Sequence, residues 1–314
     1  MSAPVIALTG ATGFIGRHLL KELPQRGYRI RVLLRRPAEV PPEASSAVVG
    51  DIAAPRNMAM ALRDVDMVIH SAGLAQGMSG HPEDDYRSIN TEATVALARA
   101  AERAGIRRFV FLSSIRAQAG PTADGILTET DPPAPTDAYG RSKLAAEQGL
   151  AELGLDWVAL RPVLVYGPGV QGNMASLVEL ARSGFPLPFG GLRARRSLLS
   201  LDNLVVAIDA VLRAPNPLRR PLIVADPEPM SVPEMVAALR EGLGRRPGLL
   251  PVPAPLLEAA ARLSGRSEVY RRLSGSLVAS PAALMNLGWR PVQTSREGLA
   301  HLARTAEPAK AASA

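Results

Sequence analysis

The sequence predicts a doubly wound α/β fold, in which a parallel β-sheet is covered by helices on both faces. Short apolar runs alternate with longer helical stretches over residues 1–165, and a glycine-rich turn follows the first run. These runs are nearly continuous in apolar residues, which is typical of parallel strands because both of their faces are buried. A chain of 314 residues is long enough to bury such a core.

Each element follows from its local pattern of apolar residues. Runs of four to eight apolar residues rich in Val and Ile indicate strands, whereas apolar residues spaced three and four apart indicate helices. The predicted strands span residues 4–9, 29–34, 47–49, 65–70, 108–112 and 157–166, and the main predicted helices span residues 16–26, 87–104 and 138–153.

The composition changes after residue 166, where Gly and Pro become dense. A helical run and a strand follow, and beyond residue 227 helical segments are broken by Pro. We therefore expect a large domain and a smaller, mostly helical C-terminal substrate lobe across the strand ends. The expected boundaries are 1–165 with about 198–226 for the large domain, 166–197 with 227–306 for the lobe, and 307–314 for a flexible tail.

Composition argues against several classes of function. The chain has no Cys and only four scattered His, so we expect no disulfide, no thiol catalysis and no metal site. The net charge of +7 comes almost entirely from Arg, yet with only 12 aromatic residues we expect no nucleic-acid binding. No apolar run approaches the roughly 20 residues that span a bilayer, and no signal sequence is evident. We expect a cytoplasmic protein without a membrane span.

The glycine-rich turn has the spacing of a dinucleotide-binding loop. Gly10 permits a tight turn, Gly13 lets a pyrophosphate approach the backbone, and Gly16 allows close packing of helix and strand. The start of the next helix then offers free N–H groups to phosphate oxygens. A glycine turn can also serve geometry alone, but its position between strand and helix favours a Rossmann-type cofactor site.

The end of the second strand favours NADP over NAD. NAD-binding chains usually place a carboxylate here for the adenosine ribose, whereas Arg35 and Arg36 occupy this position. A guanidinium suits the additional 2′-phosphate of NADP. The alternative is that both are solvated surface residues in an Arg-rich protein, and NAD remains possible.

Tyr139 and Lys143 lie four residues apart, hence one turn apart on one face of a predicted helix. A nearby ammonium favours phenolate, so we expect Lys143 to lower the pKa of Tyr139 toward neutral pH. The phenol could then exchange a proton with a carbonyl or carbinol. Ser114, at the carboxyl end of the fifth strand, could hold the same oxygen.

Together these motifs resemble the extended short-chain dehydrogenase/reductases, in the group of nucleotide-sugar epimerases, dehydratases and reductases. The resemblance covers nearly the whole chain and implies a catalytic triad of Ser114, Tyr139 and Lys143. It also implies a homodimer formed through two helices of the large domain. The cofactor-binding residues by loop spacing or resemblance are Gly10, Thr12, Gly13, Phe14, Ile15, Gly16, Arg35, Arg36, Asp51, Ile52, Ser71, Ala72, Gly73, Tyr139, Lys143, Pro162 and Val165.

The reaction is less well defined than the family. Related sugar dehydratases carry an Asp-Glu pair after the catalytic Ser or Thr, whereas this chain has Ile115 and Arg116, so we expect no dehydration. An NADP-type pocket suits net consumption of reduced cofactor. Segments in the C-terminal half resemble bacterial UDP-4-keto-6-deoxy-hexosamine reductases of surface-polysaccharide synthesis. We therefore expect NADPH-dependent reduction of a 4-keto nucleotide sugar.

Binding of a UDP diphosphate would need guanidinium groups from the small lobe, each able to donate two hydrogen bonds to phosphate oxygens. Asn173, Arg196 and Arg272 are the candidate substrate-binding residues, although any one Arg could instead belong to an exposed basic loop. Three other functions remain open. A UDP-hexose 4-epimerase would use the same residues with a retained NAD, a reductase of a non-nucleotide carbonyl would not need the phosphate-binding Arg, and a non-catalytic NADP-binding partner protein usually lacks the Tyr/Lys pair.

Overall fold

The computed structural model describes residues 3–75 and 81–306, and the elements below are those of these residues. The strands are β1 (Val5–Thr9), β2 (Arg29–Leu34), β3 (Ser45–Val48), β4 (Met67–His70), β5 (Arg108–Leu112), β6 (Ile126–Leu127), β7 (Trp157–Pro162), β8 (Leu164–Tyr166), β9 (Arg195–Arg196), β10 (Leu198–Ser200), β11 (Arg220–Val224), β12 (Met230–Ser231) and β13 (Val278–Ala279).

Twelve α-helices lie between and after these strands in the described part of the chain. They are α1 (Phe14–Gln25), α2 (Met58–Ala61), α3 (Glu83–Tyr86), α4 (Ala93–Arg103), α5 (Ala138–Ala151), α6 (Gly172–Arg182), α7 (Leu201–Arg213), α8 (Val232–Gly242), α9 (Ala254–Leu263), α10 (Ser267–Ser274), α11 (Ala282–Asn286) and α12 (Ser295–Thr305). A π-helical segment (Arg87–Glu92) joins α3 to α4, and a 3₁₀ turn (Ile115–Ala117) follows β5.

Seven strands form one parallel sheet in the order β11–β7–β5–β4–β1–β2–β3. The predicted doubly wound Rossmann fold is confirmed. Strands β4, β5 and β7 are buried at every position because helices cover both faces. One apolar core packs α1 and α7 on one face, and a second packs α2, α4 and α5 on the other.

Two predicted elements differ from the structure. The single strand expected at 157–166 divides after Pro162, since β8 leaves the large sheet and pairs in parallel with β10. The helix expected to begin at residue 87 begins at Glu83 and passes through the π-helical segment. Both differences follow from tertiary pairings that apolar periodicity does not encode.

The remaining elements form a smaller body beside the sheet. Helices α6, α8 and α12 share an apolar cluster around Tyr166, and α9 and α10 pack on a neighbouring one. Strand β11 adds to the edge of the large sheet beside β7, and α7 packs against α1. The predicted tail at 307–314 lies outside the described residues. Within the described part, no helix is both long and apolar enough to cross a bilayer.

Candidate active site

The glycine turn after β1 is shaped by close backbone contacts. Gly10 has a φ of 70°, and a Cβ on it would lie 2.6 Å from the main-chain nitrogen of Ala72. A Cβ on Gly16 would lie 2.0 Å from the carbonyl oxygen of Gly10. Only glycine therefore fits at these two positions, and the turn brings the start of α1 directly against the ends of β1 and β4.

The start of α1 is open to an anion. Its N-cap is Gly13, which has no side chain to cap the helix, and no acidic residue lies in the first turn. The N–H groups of this turn have no intrahelical acceptor. Thr12 and Gly13 are exposed and Phe14 and Ile15 are partly buried around them. This arrangement fits the pyrophosphate of a dinucleotide.

The loop after β4 forms the next wall of the site. Thr9 Oγ1 is hydrogen-bonded to His70 Nδ1 at 2.7 Å and accepts from the Ala72 main chain at 3.2 Å. A Cβ on Gly73 would come within 2.7 Å of Asn90 Oδ1 and 3.3 Å of Lys143 Nζ. The segment from Ser71 to Gly73 thus lies against the glycine turn on one side and Lys143 on the other.

Asn90 connects the loop after β4 to α5 through side-chain hydrogen bonds. Its Oδ1 accepts from the Leu74 main-chain N–H at 2.8 Å, and its Nδ2 donates to the Leu74 carbonyl at 3.2 Å and to Ser142 Oγ at 3.1 Å. Asn90 is fully buried and belongs to the π-helical segment, a type of local structure that often marks functional sites. Asn90 therefore positions neighbouring elements within the protein.

A cavity of about 430 Å³ lies at the end of β2, and its lining includes Arg35, Gly50, Asp51 and Arg56. Arg35 and Arg36 are exposed at the end of β2, and Ile52 is partly buried beside Asp51. Arg56 is an additional guanidinium that the spacing argument missed, because it lies some twenty residues beyond the second strand. Two Arg and one Asp thus share this cavity.

Ser114, Tyr139 and Lys143 converge at the carboxyl edge of β5. Asp137 caps α5 by accepting from the Gly140 main chain at 2.7 Å, which sets Tyr139 in the first turn. Lys143 Nζ donates to the Leu112 carbonyl at 2.9 Å and lies 5.9 Å from the centroid of the Tyr139 ring. Ser114 is buried where β5 ends.

The pKa of Tyr139 departs from the expected direction. Burial raises the pKa of the phenol, outweighing the hydrogen bond with Ser114 and the charge of Arg116, which both lower it. The expectation that Lys143 brings this pKa down is therefore wrong in the described structure. Burial also lowers the pKa of Lys143 to about 8, against the opposing effect of Glu147.

A buried ion pair between Arg161 and Glu147 joins the elements that carry Ser114 and Lys143. Arg161 Nη2 contacts Glu147 Oε2 at 2.5 Å, and Ser113 Oγ donates to Glu147 Oε1 at 2.5 Å. Both members of the pair are almost fully buried. Glu147 follows Lys143 by one helical turn, and Ser113 precedes Ser114, so the pair links α5 to the ends of β5 and β7. Pro162 ends β7 beside it, and Val165 lies partly buried in β8.

The candidate substrate-binding residues are only partly brought together. Arg196 Nη2 donates to the main-chain carbonyl of Arg272 at 2.7 Å, so β9 and α10 are adjacent. The Arg272 side chain instead pairs with Glu268 at 3.3 Å and is exposed. Asn173 is exposed in the first turn of α6. Arg116, which was not among the predicted site residues, is a further buried guanidinium next to Ser114.

The chain is similar to known proteins along nearly its whole length. The model of the NAD dependent epimerase/dehydratase family matches residues 6–224. The UDP-glucose 4-epimerase of Vibrio cholerae is 38% identical over 309 residues, covering 95% of this chain and 94% of that protein. A 3-diazoavenalumate denitrifying reductase from a Streptomyces species is 30% identical over 309 residues, covering 94% and 98%.

A solved structure shows the same similarity. MoeE5 in complex with UDP-glucuronic acid and NAD superposes with a TM-score of 0.72 at 28% identity, covering 95% of this chain and 97% of that one. The same protein in complex with UDP-glucose and NAD gives a TM-score of 0.71 at 29% identity.

Proposed function

The chain belongs to the NAD-dependent epimerase/dehydratase family, and from this premise we propose that it is a UDP-hexose 4-epimerase with a retained nicotinamide dinucleotide. The observation that carries the proposal is the meeting of Ser114, Tyr139 and Lys143 at the sheet edge next to the glycine turn. The 38% identity to a UDP-glucose 4-epimerase supports epimerisation. The reductase that the sequence favours has support only at the level of the family.

Ser114, Tyr139 and Lys143 have separate roles in the reaction at the sugar C4 oxygen. Ser114 donates a hydrogen bond to this oxygen, and Tyr139 removes its proton and later returns it. Lys143, which is largely protonated at pH 7 with a pKa of about 8, offers donors beside Gly73 to the cofactor ribose. A bound nicotinamide would supply the hydride acceptor, and then the hydride donor, for the sugar C4.

The protein surroundings act differently on the two halves of this proton exchange. The first half requires the Tyr139 phenolate, which burial disfavours by raising the pKa of the phenol, while the Ser114 hydrogen bond and the Arg116 charge lower the cost of its formation. The raised pKa suits the second half, in which the phenol returns the proton to the 4-keto oxygen. Dehydration lacks an acid and a base next to Ser114, because Ile115 and Arg116 occupy these positions.

One experiment separates epimerase from reductase. The purified protein is analysed by mass spectrometry for bound dinucleotide and incubated with UDP-glucose, while product is followed by NMR and reduced nicotinamide by absorbance. We expect UDP-galactose to form with no net change in absorbance. Tyr139→Phe should abolish conversion while leaving dinucleotide binding nearly intact, because only the exchangeable proton is removed.

A net reductase is the second candidate, and the cavity at the end of β2 is the observation that favours it. Arg35 and Arg56 line this cavity, and a pair of guanidiniums suits the 2′-phosphate of NADPH. Stoichiometric oxidation of NADPH by a UDP-4-keto-6-deoxy-hexosamine, without exchange of UDP-glucose and UDP-galactose, would replace the epimerase with this reductase.

A further inference from the structure

Arg116 has two donor nitrogens without a partner among the described residues. The residue is 7% exposed and lies in the 3₁₀ turn after β5. Its Nη2 pairs with Asp137 Oδ2 at 2.5 Å, whereas its Nε and Nη1 have no acceptor among the described residues. A buried donor of this kind costs free energy unless an acceptor satisfies it. The guanidinium is therefore prepared for an acceptor that the chain does not supply.

The charges around Arg116 favour an anionic acceptor over a neutral one. Arg196 lies close enough that its pKa is lowered, first by burial and then by the Arg116 charge. The Arg196 guanidinium donates to the main-chain carbonyls of Pro121 and Arg272, which bear no charge. The charge of Arg116 thus acts on Arg196, and Asp137 is the carboxylate that pairs with Arg116 in the described structure.

The position of Arg116 limits where the anion can be. Its main-chain N–H donates to Ser114 Oγ at 3.1 Å, and its ion-pair partner Asp137 precedes Tyr139 by two residues. Ser114 and Tyr139 mark the oxygen that reacts in the proposed function. Arg116 thus adjoins the residues that mark this oxygen, and the sugar ring is the part of the substrate on which we expect its acceptor.

We propose that Arg116 binds a carboxylate on the sugar ring, so that nucleoside-diphosphate hexuronates are preferred over the uncharged hexoses as substrates. The inference rests on the proposed function, because the reacting oxygen is assigned from it. Nε and Nη1 point to different edges of the planar group, so they take two acceptor atoms, a carboxylate oxygen and a neighbouring ring substituent. The diphosphate is the other anion of such a substrate, but it lies beyond the ring from the reacting oxygen.

The test compares binding rather than turnover. Isothermal calorimetry on the dinucleotide-loaded protein measures the affinities for UDP, UDP-glucose and UDP-glucuronate. We expect UDP-glucuronate to bind at least about tenfold more tightly than UDP-glucose, as charge-assisted hydrogen bonds predict. Arg116→Met should remove this preference and leave the affinities for UDP and UDP-glucose within about threefold. Arg116→Lys, which keeps the charge, should retain part of the preference and controls for folding.

Arg195→Met is the matched control, because Arg195 lies on β9 beside Arg196 but already pairs with Glu234 at 3.3 Å. This variant should keep the preference for the hexuronate. Equal affinities of the unaltered protein for both sugars would overturn the inference while leaving the epimerase intact. Equal weakening of all three ligands in Arg116→Met would assign the guanidinium to the diphosphate and also overturn it. If none of the three binds, the proposed function fails together with the inference.

Discussion

Glu147→Gln should destabilise the protein severely, although the substitution changes neither the size nor the shape of the side chain. The Glu147 and Arg161 side chains are 4% and 3% exposed, so water cannot replace the lost partner. In the variant the Arg161 guanidinium keeps Gln118 as an acceptor but loses the carboxylate that neutralises it. Its charge is then buried without compensation.

The magnitude follows from this burial. Removing one member of a buried ion pair costs about 3–5 kcal/mol, whereas an exposed pair contributes about 0.2–1 kcal/mol. Since the free energy of unfolding of a protein is about 5–15 kcal/mol, the variant should lose a large share of its stability. Glu83→Gln is the matched control, because Glu83 pairs with Arg141 at 2.8 Å with both side chains largely exposed.

Equilibrium unfolding in urea at pH 7, extrapolated linearly to water, measures both variants. We expect Glu147→Gln to lower the free energy of unfolding by about 3–5 kcal/mol and Glu83→Gln by less than about 1 kcal/mol. A loss below about 1 kcal/mol in Glu147→Gln would refute the reasoning. It would mean that water already screens this pair.

Two further predictions concern the cofactor and acid sensitivity. Arg35→Ala should weaken NADPH binding by roughly ten- to a hundredfold and NADH binding little, because only NADPH has a 2′-phosphate that would lose its partner. Equal losses of affinity in calorimetry would mean that Arg35 is only a surface charge. Burial and then Lys143 lower the pKa of His70 to about 3. Below about pH 6.5 the unfolded chain therefore binds a proton at His70 that the folded chain does not bind. This difference lowers the free energy of unfolding by roughly 2 kcal/mol at pH 5, and by more as the pH falls toward 3. Urea unfolding at pH 7 and pH 5 should show this loss in the unaltered protein and a smaller one in His70→Gln; equal losses would assign it to other groups.

The parallel sheet could be predicted from sequence because each strand and helix shows its own periodicity. Strands β1, β2 and β5 fall within a residue of the predicted bounds, since their apolar runs end at Gly, Arg or Ser. The turn at Gly10 could also be predicted, because Gly10, Gly13 and Gly16 follow each other at fixed spacing between a strand and a helix. These features depend on residues that are neighbours in the chain.

Features that depend on distant residues could not be predicted. The pairing of β8 with β10 joins segments more than thirty residues apart, so Leu164 looked like a continuation of β7. The pKa of Tyr139 depends on its burial and on Arg116 more than on Lys143, although the spacing indicated only Lys143. The unpartnered donors of Arg116 likewise depend on a distant residue, because Asp137 lies 21 residues away in the chain and contacts only Nη2.

The π-helical segment that carries Asn90 has a consequence for how this chain can vary in length. A wider turn accommodates more residues than an α-helix over the same rise, so the loss of one residue between 87 and 92 could be absorbed by a return to regular α-helix. Such a deletion would narrow the turn that carries Asn90 and shift its side chain relative to α5. Asn90 could then no longer meet both Leu74 and Ser142. Exposed positions in this segment can therefore change identity in evolution, while its residue count stays fixed.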